Sequence, residues 1–387
     1  MKSQAIKLLA LVSFQPLVTA HPHSSPIKPR IVVSRQFDVG NVYANWPSYD
    51  QLPLDASYPT KAAWGVWGAD DVQGALNHIT NATILAAGDE IKLGRAINLN
   101  MDLNAFVTPI NPNRKPLNHV FQPGSGYTDD VVVLNTQVST QYDGLRHFKS
   151  SLCISMDNFS PTCVQNFDQV VGPSPTEVLG IQQAAQKGIA GRGVLLDFAG
   201  WAEVKNISYS AFAVRPSPLP ALNSTNHLQG FGINSTHLDA IASWQGLPQN
   251  WSKPGDILLV RTGWTKQYLN LTSYSQEILP WDPNLGSVGM NCSDDLLAWL
   301  WEKKLALVGA DNPAFESLPF DKTIGGVPRS MHQVFIGGWG QSIVEFLDLE
   351  TLAEELHALN RSTFFLTIQN LNIKSGIASP PNALAIL

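Results

Sequence analysis

Charge is scarce in this chain: Asp, Glu, Lys and Arg make up only 14% of it, against roughly a quarter in an average soluble domain. The net charge is −6, and no run of lysine and arginine forms a basic stripe, which argues against nucleic acid and anionic membrane as partners. Cysteine is sparse too, with 3 residues. That is too few for a disulfide scaffold, and a chain of this length buries a large core without one. Beyond the first residues no apolar run reaches the roughly 18 residues that a membrane span needs.

What is present begins with a leader pattern. Lys2 and Lys7 mark a basic start, residues 8–14 are apolar, and Val18-Thr19-Ala20 offers small residues at a cleavage point. The pattern predicts a signal peptide over residues 1–20, followed by a Pro-rich, aperiodic arm over 21–54 and a single domain over 55–387. Asn-x-Ser/Thr sequons recur at Asn81, Asn158, Asn206, Asn223, Asn234, Asn250, Asn270, Asn291 and Asn360. Their density points to a secreted, extracellular glycoprotein whose glycans supply the surface hydration that its few charges do not. In that oxidising compartment Cys153 and Cys163 are the expected disulfide, closing a short loop around Asn158 and leaving Cys292 outside the pair.

Along the chain, helix-like and strand-like runs alternate. Ser174-Pro-Thr-Glu177 reads as a capping box opening a helix over 178–189, which Gly191 and Gly193 end before a buried strand over 194–198. Residues 236–244 then 257–260, and 293–304 then 305–308, repeat the pairing of amphipathic helix and short apolar strand. A final helix capped by Asp348 precedes a last strand over 364–368. The class is therefore α/β. Glycines 188, 191 and 193 end a helix ahead of a strand, the reverse of a dinucleotide fingerprint, so a nicotinamide cofactor is not expected.

Residues 131–149 separate by parity. Val132, Leu134, Thr136, Val138, Thr140 and Tyr142 hold the even positions; Asn135, Gln137, Ser139, Gln141 and Asp143 hold the odd ones. In one continuous strand the even set faces a core and the odd set forms a polar row, which either meets water or lines a site. Gly144 then turns the chain and brings His147 back beside Asp143. Further on, His332 precedes the glycine-rich turn 337–340, and Glu345 lies inside the apolar run Ile343-Val-Glu-Phe-Leu347, where a charge is costly unless it is paired or binds a metal. Asp143, His332 and Glu345 can hold one divalent ion, with His147 left to move protons. Asp71, Asp197 and Asp311 read as structural.

These residues resemble the putative cyclase family, which includes bacterial kynurenine formamidases and isatin hydrolase. The family frame H-x-G-T-H-x-D-x-x-x-H-F reads here Gln137-Val-Ser-Thr140-Gln141-Tyr-Asp143-Gly-Leu-Arg-His147-Phe148. Gly255-Asp256, Thr262-Gly-Trp264, Trp67-Gly68, Asp71 and Gly74-Ala-Leu-Asn77 fit the family too, and His332 and Glu345 resemble its C-terminal metal ligands. The resemblance implies a swivelling β/β/α domain, often a homo-oligomer, with a metal-dependent attack of water on an amide, lactam or ester and the last motif histidine as acid/base. It places Gln137 and Gln141, as in a fungal-type branch, where two motif histidines would help hold a second zinc. Carboxamide oxygens are weaker ligands that favour harder ions such as Mn²⁺, so one divalent ion, Mn or Zn, is expected. Whether these two glutamines ligate or form a hydrogen-bonded ladder stays open. The implied function is a secreted hydrolase of a small aromatic or heterocyclic molecule; the alternatives are a cyclase or lyase of secondary metabolism using the same pocket, and a non-catalytic binding protein.

Overall fold

The computed structural model describes residues 43–56, 61–68, 71–148, 179–213, 230–282, 285–319, 323–324 and 327–387. Among them the centre of the molecule is a nine-stranded mixed sheet. Its strands, numbered along the chain, are β1 Ala96–Asn98, β2 Gln141–Asp143, β3 Ile189–Asp197, β4 Ile257–Arg261, β5 Leu307–Ala310, β6 Ile343–Glu345, β7 Thr363–Ile368, β8 Ala378–Ser379 and β9 Leu384–Ile386. Their spatial order is β1-β9-β7-β3-β4-β5-β6-β2-β8. The four central strands β3 to β6 run parallel, and antiparallel strands flank them on both sides.

Unbroken apolar runs such as Ile257-Leu-Leu-Val260 suit a parallel strand covered on both faces. Alternation divides them cleanly. Val194, Leu196, Leu258, Val260, Val308, Ala310 and Ile343 enter one core, with Leu238, Ile241, Leu296 and Leu300 from the helices Ser235–Trp244 and Asp294–Glu302. Leu195, Ile257, Leu259, Leu307 and Val344 enter the other, with Leu352 and Leu356 from the helix Glu350–Ala358. The capping residues act where chemistry places them: Asn234 accepts from His237 N at 2.9 Å and Ser293 from Leu296 N at 3.3 Å, satisfying backbone donors that the first helical turn cannot.

Several sequence expectations are revised. The stretch 131–142 is two strands rather than one. Residues 131–133 end the hairpin Asn118–Pro123/Thr128–Val133, exposed along its whole length. The chain then leaves extended geometry, and Val138 N bonds Asn135 O at 3.0 Å, before β2 begins at Gln141. The helix expected over 178–189 is Gln182–Lys187, ended by Gly188 at φ 72°. Gly191 and Gly193 lie inside β3, where Gly193 stands opposite Phe364 and its missing side chain makes room for that ring. The run 337–340 is no simple turn: Phe335–Trp339 is π-helical and Gly340 follows at φ 66°. Asp348 accepts from Glu350 N at 3.2 Å, while Leu349 holds the capping position. Two short strands, β8 and β9, follow β7. Within the segment read as an arm, Tyr49 and Leu52 are buried in the first core and Trp46 stacks on Trp301 at 4.8 Å between centroids. Cys153, Cys163, Asn158, Asn223 and the 174–177 capping box lie outside the described residues. Cys292 is buried, its thiol 3.7 Å from the Arg329 carbonyl.

Candidate metal centre

Pairing of β2 with β6 builds the site. The antiparallel register sets Asp143 opposite Ile343 and Gln141 opposite Glu345. Tyr142 and Val344 take the second core, so Gln141, Asp143 and Glu345 are turned to the first face. Of the polar row, Gln137, Ser139, Gln141 and Asp143 are buried and do not meet water, whereas Asn135 at its start is exposed. Gly144 turns the chain, with His147 N bonding Gly144 O at 2.9 Å. Glycine is needed there for closeness, since a Cβ would stand 2.6 Å from the Ile377 carbonyl oxygen and 2.6 Å from Ile181.

His332 arrives on a one-turn helix, Met331–Val334, between β5 and β6. Glu316 secures it twice. One carboxylate oxygen accepts from Met331 N at 2.7 Å; the other accepts from His332 N at 3.1 Å and lies 2.8 Å from His332 Nδ1. A carboxylate only accepts, so Nδ1 carries the proton toward Glu316 and Nε2 is aimed the other way. There it lies 2.9 Å from Glu345 Oε1 and 3.6 Å from Asp143 Oδ2.

Each carboxylate has one oxygen occupied and one bare. Gln137 Nε2 donates to Asp143 Oδ1 at 2.6 Å, and Gln141 Nε2 donates to Glu345 Oε2 at 2.5 Å. Asp143 Oδ2 and Glu345 Oε1 are buried without a hydrogen-bond partner; the 2.9 Å approach of His332 Nε2 to Glu345 is a charge contact rather than an aligned hydrogen bond. One imidazole nitrogen and two carboxylate oxygens thus lie within 4.8 Å of one another. Donors bonded to a common ion at about 2.0–2.2 Å stand roughly 3–3.6 Å apart; the two His332 distances, 2.9 and 3.6 Å, match that spacing, so the set could hold a divalent ion, and its N/O chemistry suits Zn²⁺ or Mn²⁺.

The electrostatics agree. Burial, then the neighbouring Asp143 charge, pushes the Glu345 carboxyl up to about 7. Burial also opposes ionisation of Asp143, but His147 and His332 overcome it and hold that carboxyl below its ordinary value. His332 is raised well above the usual histidine range: burial works against the charge, and Asp143, Glu316 and Glu345 outweigh it. Two carboxylates facing each other need a positive charge between them. His147, half-buried, is lowered chiefly by burial, and its Nε2 is 3.6 Å from Asp143 Oδ2. The Phe148 ring lies against His332 with centroids 4.9 Å apart.

Of the residues expected at the site, Asp143, His332 and Glu345 converge and His147 stands beside them. Gln137 and Gln141 are present as a ladder. Their carboxamide oxygens point at Arg114, whose Nη2 donates to Gln137 Oε1 at 2.5 Å and whose Nη1 donates to Gln141 Oε1 at 3.1 Å, so ligation by either is not the arrangement found. Sequence reasoning missed Arg114 and Glu316. Glu316 carries the signal that singled out Glu345, a carboxylate in the apolar run Ala314-Phe-Glu-Ser-Leu318; Arg114 sits in a polar Asn/Pro loop and carries none. Asp311 is structural: its oxygens accept from Thr262 N at 2.6 Å and Gly263 N at 2.9 Å, and burial pushes its carboxyl up to about 6. Asp71 likewise accepts from Gln73 N, Gly74 N and Asn77. A cavity of about 280 Å³ bordered by Glu203, Tyr209, Arg261 and Lys266 shares no residue with the metal centre. Arg261 borders that cavity, and its guanidinium donates to Asp197 and Glu350.

No helix among the described residues is long and apolar enough to cross a membrane. No curated protein matches the chain. Among solved structures, the crystal structure of a novel cyclase is 26% identical with a TM-score of 0.63, over 84% of this chain and 97% of that one. Isatin hydrolase A from Labrenzia aggregata, bound to benzyl benzoate, is 16% identical with a TM-score of 0.48, over 75% of this chain and 93% of that one. Isatin hydrolase A from Ralstonia solanacearum is 15% identical with a TM-score of 0.48, over 79% and 97%. The family described as putative cyclase matches residues 55–317, a segment that contains Asp143 and His147 and stops short of His332 and Glu345. With that match over most of its length, and with the sheet that sets β2 against β6, the chain belongs to the putative cyclase family.

Proposed function

We propose that the protein is a secreted metal-dependent hydrolase that opens an amide, lactam or ester bond of a small aromatic or heterocyclic molecule. One divalent ion, Mn or Zn, is held by Asp143, His332 and Glu345. The observation that carries this reading is the convergence on His332 Nε2 of two buried carboxylate oxygens that have no hydrogen-bond partner. A divalent ion bound there supplies Lewis acidity and makes water acidic enough to attack near neutral pH. His147 moves the proton: its ring, kept neutral by burial, takes the proton from the attacking water as the new C–O bond forms. It returns that proton to the leaving nitrogen or oxygen as the scissile bond breaks. The Phe148 ring beside His332 supports a planar substrate.

Element-resolved analysis of purified protein at known concentration tests the ion, and loss of turnover on chelation with recovery on Mn²⁺ or Zn²⁺ tests its role. A panel of aromatic lactams, anilides and esters in ¹⁸O-labelled water tests the reaction. Label in the product supports hydrolysis; an unlabelled cyclised or eliminated product would move the reading to a cyclase or lyase working in the same pocket. Export is supported by exposed sequons at Asn81, Asn206, Asn250, Asn270 and Asn360, and a mass shift on enzymatic deglycosylation checks it. Light scattering checks the homo-oligomer, which the exposed apolar hairpin residues Val120, Phe121 and Val133 support.

A further inference from the structure

Arg114 lies outside the triad, yet both of the centre's carboxylates are oriented through it. Its guanidinium donates to the Gln137 carbonyl oxygen at 2.8 Å, to Gln137 Oε1 at 2.5 Å and to Gln141 Oε1 at 3.1 Å. The two carboxamides pass the polarity on, Gln137 to Asp143 at 2.6 Å and Gln141 to Glu345 at 2.5 Å. A guanidinium only donates and a carboxylate only accepts, so a carboxamide between them has one allowed orientation. Turning either amide over would set N–H against N–H on one side and oxygen against carboxylate on the other. The same hydrogen bonds leave only Asp143 Oδ2 and Glu345 Oε1 bare.

We propose that Arg114 is a positioning residue that limits this centre to one divalent ion, acting as a fixed cation where a second ion would otherwise be drawn. The proposal rests on the one-ion reading given above. Charge supports it: Asp143, Glu345 and Glu316 supply three carboxylates, Arg114 supplies one positive charge, and one divalent ion brings the sum to zero, whereas a second would leave it at plus two. Geometry supports it as well. An ion on the glutamine side would need the two Oε1 atoms, and both are already turned to a guanidinium that cannot lose its proton.

The test is ion stoichiometry, read by element-resolved analysis and by calorimetric titration with Mn²⁺ and with Zn²⁺. Wild-type protein is expected to bind one equivalent. Replacing both Gln137→His and Gln141→His supplies better ligands, yet with Arg114 retained the count is expected to stay at one. Adding Arg114→Met to that pair is expected to raise it to two, whereas adding Arg114→Lys, which keeps the charge, is expected to leave it at one. Circular dichroism shows which variants fold, and the double variant tests the proposal even where the Met triple does not. Two equivalents on the double variant with Arg114 intact, or one on a folded Met triple, would overturn this proposal and leave the one-ion reading standing. No ion on the wild-type protein would overturn both.

Discussion

Asp143 and Asp197 each end a strand of the same sheet, each is fully buried, and each faces a histidine, but the cations supplied to them differ. Asp197 Oδ1 accepts from Arg261 Nη1 at 2.8 Å and from Gly200 N at 2.9 Å, and its Oδ2 lies 2.7 Å from His357 Nε2. Arg261 then reaches Glu350 at 2.8 and 2.7 Å, so two carboxylates meet two cationic side chains and every Asp197 oxygen is used. At Asp143 the ladder of glutamines satisfies one oxygen of each carboxylate and stops. A buried charge alone therefore says little about function. What distinguishes the two networks is an unfilled acceptor aimed at a common point, because an interior seldom leaves such a group without a partner unless something else comes to it.

The largest effect expected is in the filled network. Arg261→Met strips Asp197 and Glu350 of their shared partner, and breaking a buried ion pair by removing one member costs about 3–5 kcal/mol. Urea unfolding measures the loss, and affinity for Mn²⁺ or Zn²⁺ is expected to remain at the wild-type value. A variant that lost its ion along with its stability would mean that the networks are not separable. Nearly as large is the effect of His147→Ala, this time on turnover: removing a proton-transfer group typically slows a reaction 10²–10⁴-fold, on the order of 3 to 5 kcal/mol. Ion content and melting temperature are expected to be nearly unchanged. Full activity would remove His147 from the chemistry, and loss of the ion would recast it as a ligand.

The comparison also explains what was legible in the sequence. Asp143 and Glu345 could be found because each interrupts a local pattern, one ending a polar row and the other sitting in an apolar strand. Parity gives the correct face for Gln137, Gln141 and Asp143, although only Gln141 and Asp143 lie in a strand. Val131, Val132 and Val133 have the β-branched character of core residues, but they pair with Asn118, His119 and Val120 in an exposed hairpin, and propensity alone does not distinguish a buried strand from an exposed one. The helix-breaking reading of Gly191 and Gly193 failed for a different reason. Gly193 answers to Phe364, a residue far along the chain that β7 brings opposite it, and Gly191 pairs with Leu366 of the same strand. Arg114 was invisible on the same grounds: its partners are the glutamines, and nothing in an Asn/Pro-rich loop announces a tertiary contact.

Glu316→Gln has a smaller expected effect, and it separates a supporting carboxylate from a binding one. Glu316 does not face the bare oxygens; it fixes the ring of His332 and the start of its helix. Loss of such an orienting partner typically weakens ion affinity 10–100-fold. Calorimetric titration is expected to show that loss with the stoichiometry unchanged, and Glu316→Asp is expected to recover part of it. Unaltered affinity in a folded Glu316→Gln protein would show that the ring is held without this carboxylate.

The smallest effect is expected at the edge of the filled network, where His357 meets Asp197. The hydrogen bond to Asp197 raises the His357 pKa, with burial opposing it, so its contribution is fully present below the unfolded value of about 6.5 and fades as pH rises through the raised folded value. Asp197 runs the other way. Burial opposes its ionisation, but His357 and Arg261 hold its carboxyl below the ordinary value, so its contribution is present above about pH 4 and is lost on acidification. The pair is therefore strongest between about pH 4 and 6.5. The His357 side chain is 43% exposed, and solvent screening keeps the contribution below about 1 kcal/mol. His357→Gln is expected to lower unfolding free energy by that small amount at pH 5.5 and by almost nothing at pH 9, with ion affinity unchanged at both. An equal loss at the two pH values would show that the imidazole acts there by packing against Trp244, whose ring centroid lies 5.2 Å away, rather than by its charge.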